Sequence, residues 1–73
     1  MDEYSVVLFY SSSHALRAEK VLQQAGILNK MIPTPRQLSS DCGMALRFDR
    51  ADEAPVARAL AEQKVPINGI HAI

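Results

Sequence analysis

The chain has little of what several protein classes require. It contains one cysteine, no tryptophan and three glycines among 73 residues. A single cysteine excludes a disulfide framework within the chain, and it cannot supply a cluster of thiolate ligands to a metal. No apolar run approaches the roughly 20 residues that are needed to span a bilayer. We therefore expect a small globular domain that is held together by its own core, with no membrane partner.

Neither sign of charge is in excess. Eight basic residues balance eight acidic ones. A protein that binds nucleic acid or an anionic membrane needs a basic surface, so neither partner is expected. The segment Met1-Asp2-Glu3 is acidic and lacks the basic region of a secretory signal. These observations predict a cytoplasmic protein whose residues 1–73 form a single domain.

The hydrophobic pattern predicts four strands and two helices. Tyr4–Tyr10 carries apolar residues on both alternating faces, which is typical of a central strand. Serines 11–13 can cap a helix that should run over His14–Ala25 and end at Gly26. The remaining pattern predicts strands over Asn29–Pro33, Gly43–Phe48 and Ile67–Ile73, and a second helix over Ala51–Gln63.

Helix spacing also predicts which side chains face the sheet. The apolar stripe of the first helix comprises Ala15, Ala18, Val21, Leu22 and Ala25. The stripe of the second helix comprises Val56, Ala57, Leu60 and Ala61. Between the elements, the prolines at 33 and 35 should end the second strand or place it at a sheet edge. Leu38 is a candidate anchor for the loop that follows.

The order β-α-β-β-α-β predicts an α+β ferredoxin-like sandwich. In this fold a four-stranded antiparallel sheet carries both helices on one face. The other face is expected to be bare and to carry Val7 or its neighbours, together with Ala45 and Arg47. An apolar open face on so small a chain predicts a homodimer.

This topology gathers several polar residues at one end of the sheet, which we call the rim. The first strand ends where the first helix begins, and the second strand leaves the sheet at the same end. Ser11–His14, Pro33–Cys42 and the start of the third strand should therefore lie at the rim. His71 is expected at the opposite end, so the topology allows His14, and not His71, to neighbour Cys42.

Cys42, followed by Gly43, is the most chemically suggestive residue of the rim. Glycine allows a positive φ or the close approach of another group. The amides at the start of the first helix, and the charges of His14, Arg36 or Arg47, would favour a thiolate. A thiolate is both a nucleophile and a sulfur acceptor.

The neighbours of Cys42 act in both directions. Ser39 and Ser40 could donate hydrogen bonds to a thiolate, whereas the carboxylate of Asp41 would repel it. A lone cysteine at a strand start is also commonly a small buried apolar residue. A lone histidine such as His14 at a helix start is often only a capping or solvated residue. The residues alone leave these alternatives open.

Arg47 is harder to explain by packing alone. An arginine inside a short central strand needs a partner, because burying an unpaired charge is costly. The candidates are Asp49, a residue of a dimer mate, or an anionic ligand.

Other common sites are not supported. The glycines are not spaced for a phosphate-binding loop. Cys42 and the two histidines offer at most three soft ligands, and the topology separates His71 from the other two, so no metal site is expected. The four aromatic residues do not form the stacking pattern of an RNA-binding sheet. No cofactor is expected.

Three runs of sequence resemble a family of small bacterial selenium/sulfur carrier-like proteins. The runs are Ser13–Lys20, Ile32-Pro-Thr-Pro-Arg36 and Leu38-Ser-Ser-Asp-Cys-Gly-Met-Ala-Leu-Arg-Phe48, and the resemblance extends over nearly the whole chain. It implies a carrier that holds sulfur or selenium on the cysteine matching Cys42, alongside sulfurtransferase-type relay proteins. The chain lacks the Cys-Pro-x-Pro signature of the better-known sulfur-relay carriers. The positions that match the family pattern are His14, Pro35, Arg36, Ser39, Ser40, Cys42, Gly43 and Arg47.

Two functional hypotheses follow. In the first, the protein accepts a persulfide-type chalcogen on Cys42 and passes it from a donor protein to an acceptor protein. In the second, it is a non-enzymatic dimeric binding module with an anion-binding rim formed by Arg36 and Arg47, and Cys42 is structural. A transient disulfide between two Cys42 thiols is a third possibility. Each describes a carrier or binding protein rather than a stand-alone enzyme.

Overall fold

The structure is a computed structural model that describes residues 3–38 and 43–73. Its elements are β1 (Tyr4–Leu8), α1 (Ser12–Gln24), β2 (Asn29–Pro33), β3 (Met44–Asp49), a 3-10 turn (Arg50–Asp52), α2 (Glu53–Glu62) and β4 (Gly69–Ala72). The four strands form one antiparallel sheet in the order β2-β3-β1-β4. This is the ferredoxin-like arrangement, so the predicted fold is confirmed. β2 has the predicted bounds and lies at an edge, where its proline removes no central ladder bond.

The main core lies between the sheet and the two helices. Val7 and Phe9 point into it from β1 and the residue after that strand. Of the two alternatives for the other face, Val7 or its neighbours, the second is confirmed, because the strand turns Val7 toward the helices and Val6 and Leu8 toward the other face. The buried members of this core are Val7, Phe9, Ala15, Ala18, Leu22, Leu46, Phe48, Val56, Leu60 and Val65.

The face of the sheet away from the helices is closed at its centre. Val6 and Ala45 have no exposed surface and Leu8 is 2% exposed. Ile32 and Leu38 pack against these three side chains, so the chain beyond β2 returns over this face. The expected anchoring role of Leu38 is confirmed. The prediction of a bare apolar face was wrong, which removes the reason for expecting a homodimer through it.

Both helices end in the same backbone motif. Gly26 follows α1 with φ of 75°, and Lys64 follows α2 with φ of 57°. The Gly26 amide donates to Gln23, and the next amide reaches back to Leu22 at 2.9 Å. The Lys64 amide and its successor repeat this pattern on α2. These are Schellman motifs, which require a left-handed residue after the helix.

The helices bury narrower stripes than the pattern predicted. Ala25, Ala57 and Ala61 are exposed. Ala25 lies beyond the last turn of α1, and α2 is rotated so that Ala59 packs against the core instead. Alanine is small enough to occupy either face, so spacing alone does not decide its burial. No helix in the described ranges is long and apolar enough to cross a membrane.

The second helix begins later than predicted. Asp49 accepts a hydrogen bond from the Ala51 amide at 3.0 Å and caps the short 3-10 turn that precedes α2. The buried Ser5 hydroxyl donates to the Glu53 carboxylate at 2.5 Å. This bond connects β1 to the first residue of α2.

Candidate functional site

The strand register brings the carboxyl ends of β1 and β2 to the amino end of β3. Leu8 pairs with Ala45, and Pro33 pairs with Met44. The Thr34 amide donates to the Gly43 carbonyl at 2.9 Å, which extends the β2–β3 pairing by one step. Because α1 starts four residues after β1 ends, its amino terminus lies at this same end. These elements form the predicted rim.

His14 occupies the first turn of α1. Its backbone amide donates to the Ser11 hydroxyl at 3.4 Å, so Ser11 is the helix cap. The imidazole is half-buried, and its Nδ1 atom is buried without a hydrogen-bond partner among the described residues. A buried polar atom without a partner is destabilising, so such atoms in native proteins call for an explanation beyond packing.

Arg36 and Gly43 are both exposed at the rim. Arg36 lies in a turn that the Leu38 amide closes by donating to the Pro35 carbonyl at 3.0 Å. Its guanidinium bonds to no residue in the described ranges. A Cβ atom added to Gly43 would meet nothing within 4 Å. Close approach of a described group is therefore not the reason for glycine at this position.

Arg47 contacts a partner that is not among the three predicted from the sequence. Its guanidinium carbon lies 4.2 Å from the centre of the Tyr4 ring, a cation–π contact. Tyr4 pairs with Asp49, and Val6 pairs with Arg47, so Tyr4 and Arg47 are diagonal neighbours on one face of the sheet. The ring accounts for the half-buried charge inside the strand.

The structure does not bring Arg36 and Arg47 together. Arg36 follows the end of β2 at the rim, whereas the Arg47 guanidinium lies over the first residue of β1. Four steps along β1 separate that residue from the rim, a distance of roughly 14 Å. Of the described candidates, His14, Arg36 and Gly43 lie at the rim, and the charged end of Arg47 does not. Ser39, Ser40 and Cys42 lie outside the described residues.

His71 extends closer to the rim than predicted. Its backbone pairs with Val6 in the middle of the sheet. Its Nε2 atom would lie only 3.0 Å from a Cβ added to Gly69, so the ring is folded back over that glycine. Gly69 pairs with Leu8, the last residue of β1. The imidazole occupies space that a side chain at position 69 would fill, and the topology alone does not predict this position of the ring.

The residues missed by sequence reasoning lie at the opposite end of the sheet. Tyr4 and Lys30 share a face with Arg47 there, and no group of three metal-ligating side chains occurs in the part of the chain that the structure describes. Alternation along each strand predicts which residues share a face with Tyr4 in β1 and which share a face with Arg47 in β3. Only the register between the strands shows that Tyr4 and Arg47 lie on the same face of the sheet.

The chain was compared with known proteins at the level of sequence family, curated relatives and solved structures. A sequence model of the family described as "Putative Se/S carrier protein-like" matches residues 3–72. The searches of curated proteins and of solved structures returned no match.

Proposed function

The chain belongs to the Se/S carrier protein-like family, and from that premise we propose that it carries sulfur or selenium as a persulfide-type chalcogen on Cys42. The family match over residues 3–72 is the observation that carries the proposal. Cys42 is the only cysteine of the chain, so no other thiol competes for this role. The partners are a donor protein that supplies the chalcogen and an acceptor protein that removes it.

The transfer needs no external oxidant or reductant. The Cys42 thiolate attacks the terminal sulfur of a donor persulfide, a new sulfur–sulfur bond forms, and the donor's own sulfur–sulfur bond breaks. The donor leaves as a thiolate and takes up the proton of the transferred sulfur, so that the chalcogen carried on Cys42 is an anion. In delivery, an acceptor thiolate attacks the terminal sulfur of the Cys42 persulfide and releases the Cys42 thiolate. Selenium follows the same course.

The described part of the rim supports an anion at this position. Gly43, the next residue in sequence after Cys42, lies at the rim beside Thr34. The amino terminus of α1 adds the partial positive charge of its free amides. Arg36 is exposed there, and neither its guanidinium nor the buried Nδ1 atom of His14 has a partner among the described residues. In the proposal, Arg36 and His14 stabilise the anionic chalcogen, and Ser39 and Ser40 donate hydrogen bonds to it.

The proposal assigns Arg47 no part in chalcogen chemistry, because its guanidinium is stacked on Tyr4 at the other end of the sheet. For the same reason, the alternative of an Arg36/Arg47 anion-binding rim has little support. A dimeric module built on the open face is weakened as well, since Val6, Leu8 and Ala45 are already buried within one chain.

The pH dependence of Cys42 alkylation tests the proposal. We expect the rate to reach half its maximum below the roughly 8.5 of a free thiol. Arg36→Gln and His14→Ala should each move that midpoint upward, because each removes a group that the proposal places beside the anion. Arg58→Gln removes an equivalent exposed arginine from α2 and should leave the midpoint unchanged. A midpoint at or above that of a free thiol in the native protein would mean that Cys42 is structural.

A further inference from the structure

A cleft of about 290 Å³ opens at the end of the sheet opposite the rim. It lies between the starts of β1 and β2 and the end of β3. We call it the Lys30 cleft. The lining residues that matter to its chemistry are Tyr4, Leu28, Asn29, Lys30, Arg47 and Asp49. Its volume is at the lower end of the range for small-molecule sites.

Two positive charges face each other across this cleft. Lys30 on β2 pairs directly with Arg47 on β3, so their side chains share one face of the sheet. Like charges at directly opposed positions destabilise a sheet. Neither side chain forms an ion pair with a carboxylate in the described ranges. The nearby Asp49 carboxylate accepts a hydrogen bond from the Ala51 amide.

The Arg47 side chain is held in place with its donors unused. Its guanidinium carbon lies 4.2 Å from the centre of the Tyr4 ring, a cation–π contact. The N–H groups of the guanidinium remain available to bind an oxyanion. No hydrogen bond from Arg47 to a described residue is formed.

The cleft also has an apolar wall. Leu28, which lines it, is 86% exposed. A ligand that fits these groups has an oxyanion and a small apolar part.

From these groups we propose that the Lys30 cleft binds a small organic anion. Its carboxylate or phosphate group is bound by Lys30 and Arg47, and its apolar part lies against Leu28. Binding neutralises the opposed charges. The site lies at the other end of the sheet from Cys42's neighbour Gly43, so it does not depend on chalcogen chemistry.

Amide chemical-shift titration of the full chain tests the site with defined probes. Lactate has a carboxylate and a small apolar methyl group, and lactamide is the same molecule without the charge. We expect lactate to shift the amides of residues 28–30 and 47–49 saturably, with no saturable shift from lactamide. Inorganic phosphate is titrated in parallel. Tighter binding of phosphate than of lactate identifies a phosphoryl ligand, and the reverse order identifies a carboxylate.

Charge variants show whether the cleft itself is responsible. Lys30→Gln should weaken lactate binding about tenfold, the size expected for one charge-assisted hydrogen bond. Lys20→Gln removes an exposed lysine from α1 and should leave binding unchanged. Cys42→Ser should also bind normally, which separates this site from the proposed carrier function. Equal effects of the two lysine variants, or equal binding of lactate and lactamide, would overturn the proposal.

Discussion

The two Schellman motifs predict that adding a Cβ atom after α1 lowers the stability of the protein and that removing one after α2 raises it. Both helices end with a left-handed residue, but α1 uses Gly26 and α2 uses Lys64. The backbone hydrogen bonds are equivalent, with 2.9 Å separations closing each motif at Ile27 and Val65. The two sites therefore differ mainly in whether the left-handed residue carries a Cβ atom.

The magnitude follows from that single atom. A left-handed conformation costs a residue with a Cβ about 1–2 kcal/mol. Glycine avoids this cost, but it loses about 0.4–1 kcal/mol more chain entropy on folding, which offsets part of the difference. Lys64→Gly should therefore be more stable than Lys64→Ala by about 0.5–1 kcal/mol. Gly26→Ala should lose a similar amount, because a Cβ there would meet nothing within 4 Å and adds no steric clash.

Urea denaturation of the four proteins is the assay. Comparison of Lys64→Gly with Lys64→Ala removes the effect of the lysine charge near the helix end, which both variants lack. The denaturation midpoint should move while the slope stays constant. In a domain of this size, 1 kcal/mol corresponds to about 4–8 °C in Tm. Equal stability of the two Lys64 variants would refute the argument that the left-handed backbone is the cause.

Three further predictions concern contacts of the described residues. Ser11→Ala should cost about 1 kcal/mol in urea denaturation, because it removes the α1 cap, and Ser11→Gly should cost less. Leu38→Ala should lower the free energy of unfolding by about 1–2 kcal/mol and increase the binding of a hydrophobic dye, since Leu38 covers the second face of the sheet. No change in either quantity would mean that Leu38 does not cover this face. A double-mutant cycle of Tyr4→Leu and Arg47→Gln should give a coupling of about 0.5–1 kcal/mol, and no coupling would contradict the cation–π contact.

Local sequence signals predicted the order of elements well. The prolines around Thr34 marked the end of β2, and Gly26 marked the end of α1. Each of these residues restricts its own backbone, so its effect is readable without tertiary contacts. Alanines were less informative, as the exposed Ala57 and Ala61 show, because their burial depends on how the helix is rotated against the sheet.

The candidate site could be predicted only as far as topology reaches. Topology placed His14, Arg36 and Gly43 at one end of the sheet, and the register agrees. The partner of Arg47 could not be predicted, because the diagonal contact with Tyr4 depends on the register between two strands far apart in sequence. The covering of the second sheet face by Leu38 depends in the same way on a long-range contact.

Sulfur loading of the intact chain tests the carrier function most directly. The protein is incubated with glutathione persulfide, desalted and weighed by mass spectrometry, and an acceptor thiol is then added. The account predicts a gain of one sulfur atom that is absent from Cys42→Ser, followed by return to the original mass when the acceptor thiol removes the sulfur. No gain, or the same gain in Cys42→Ser, would contradict it.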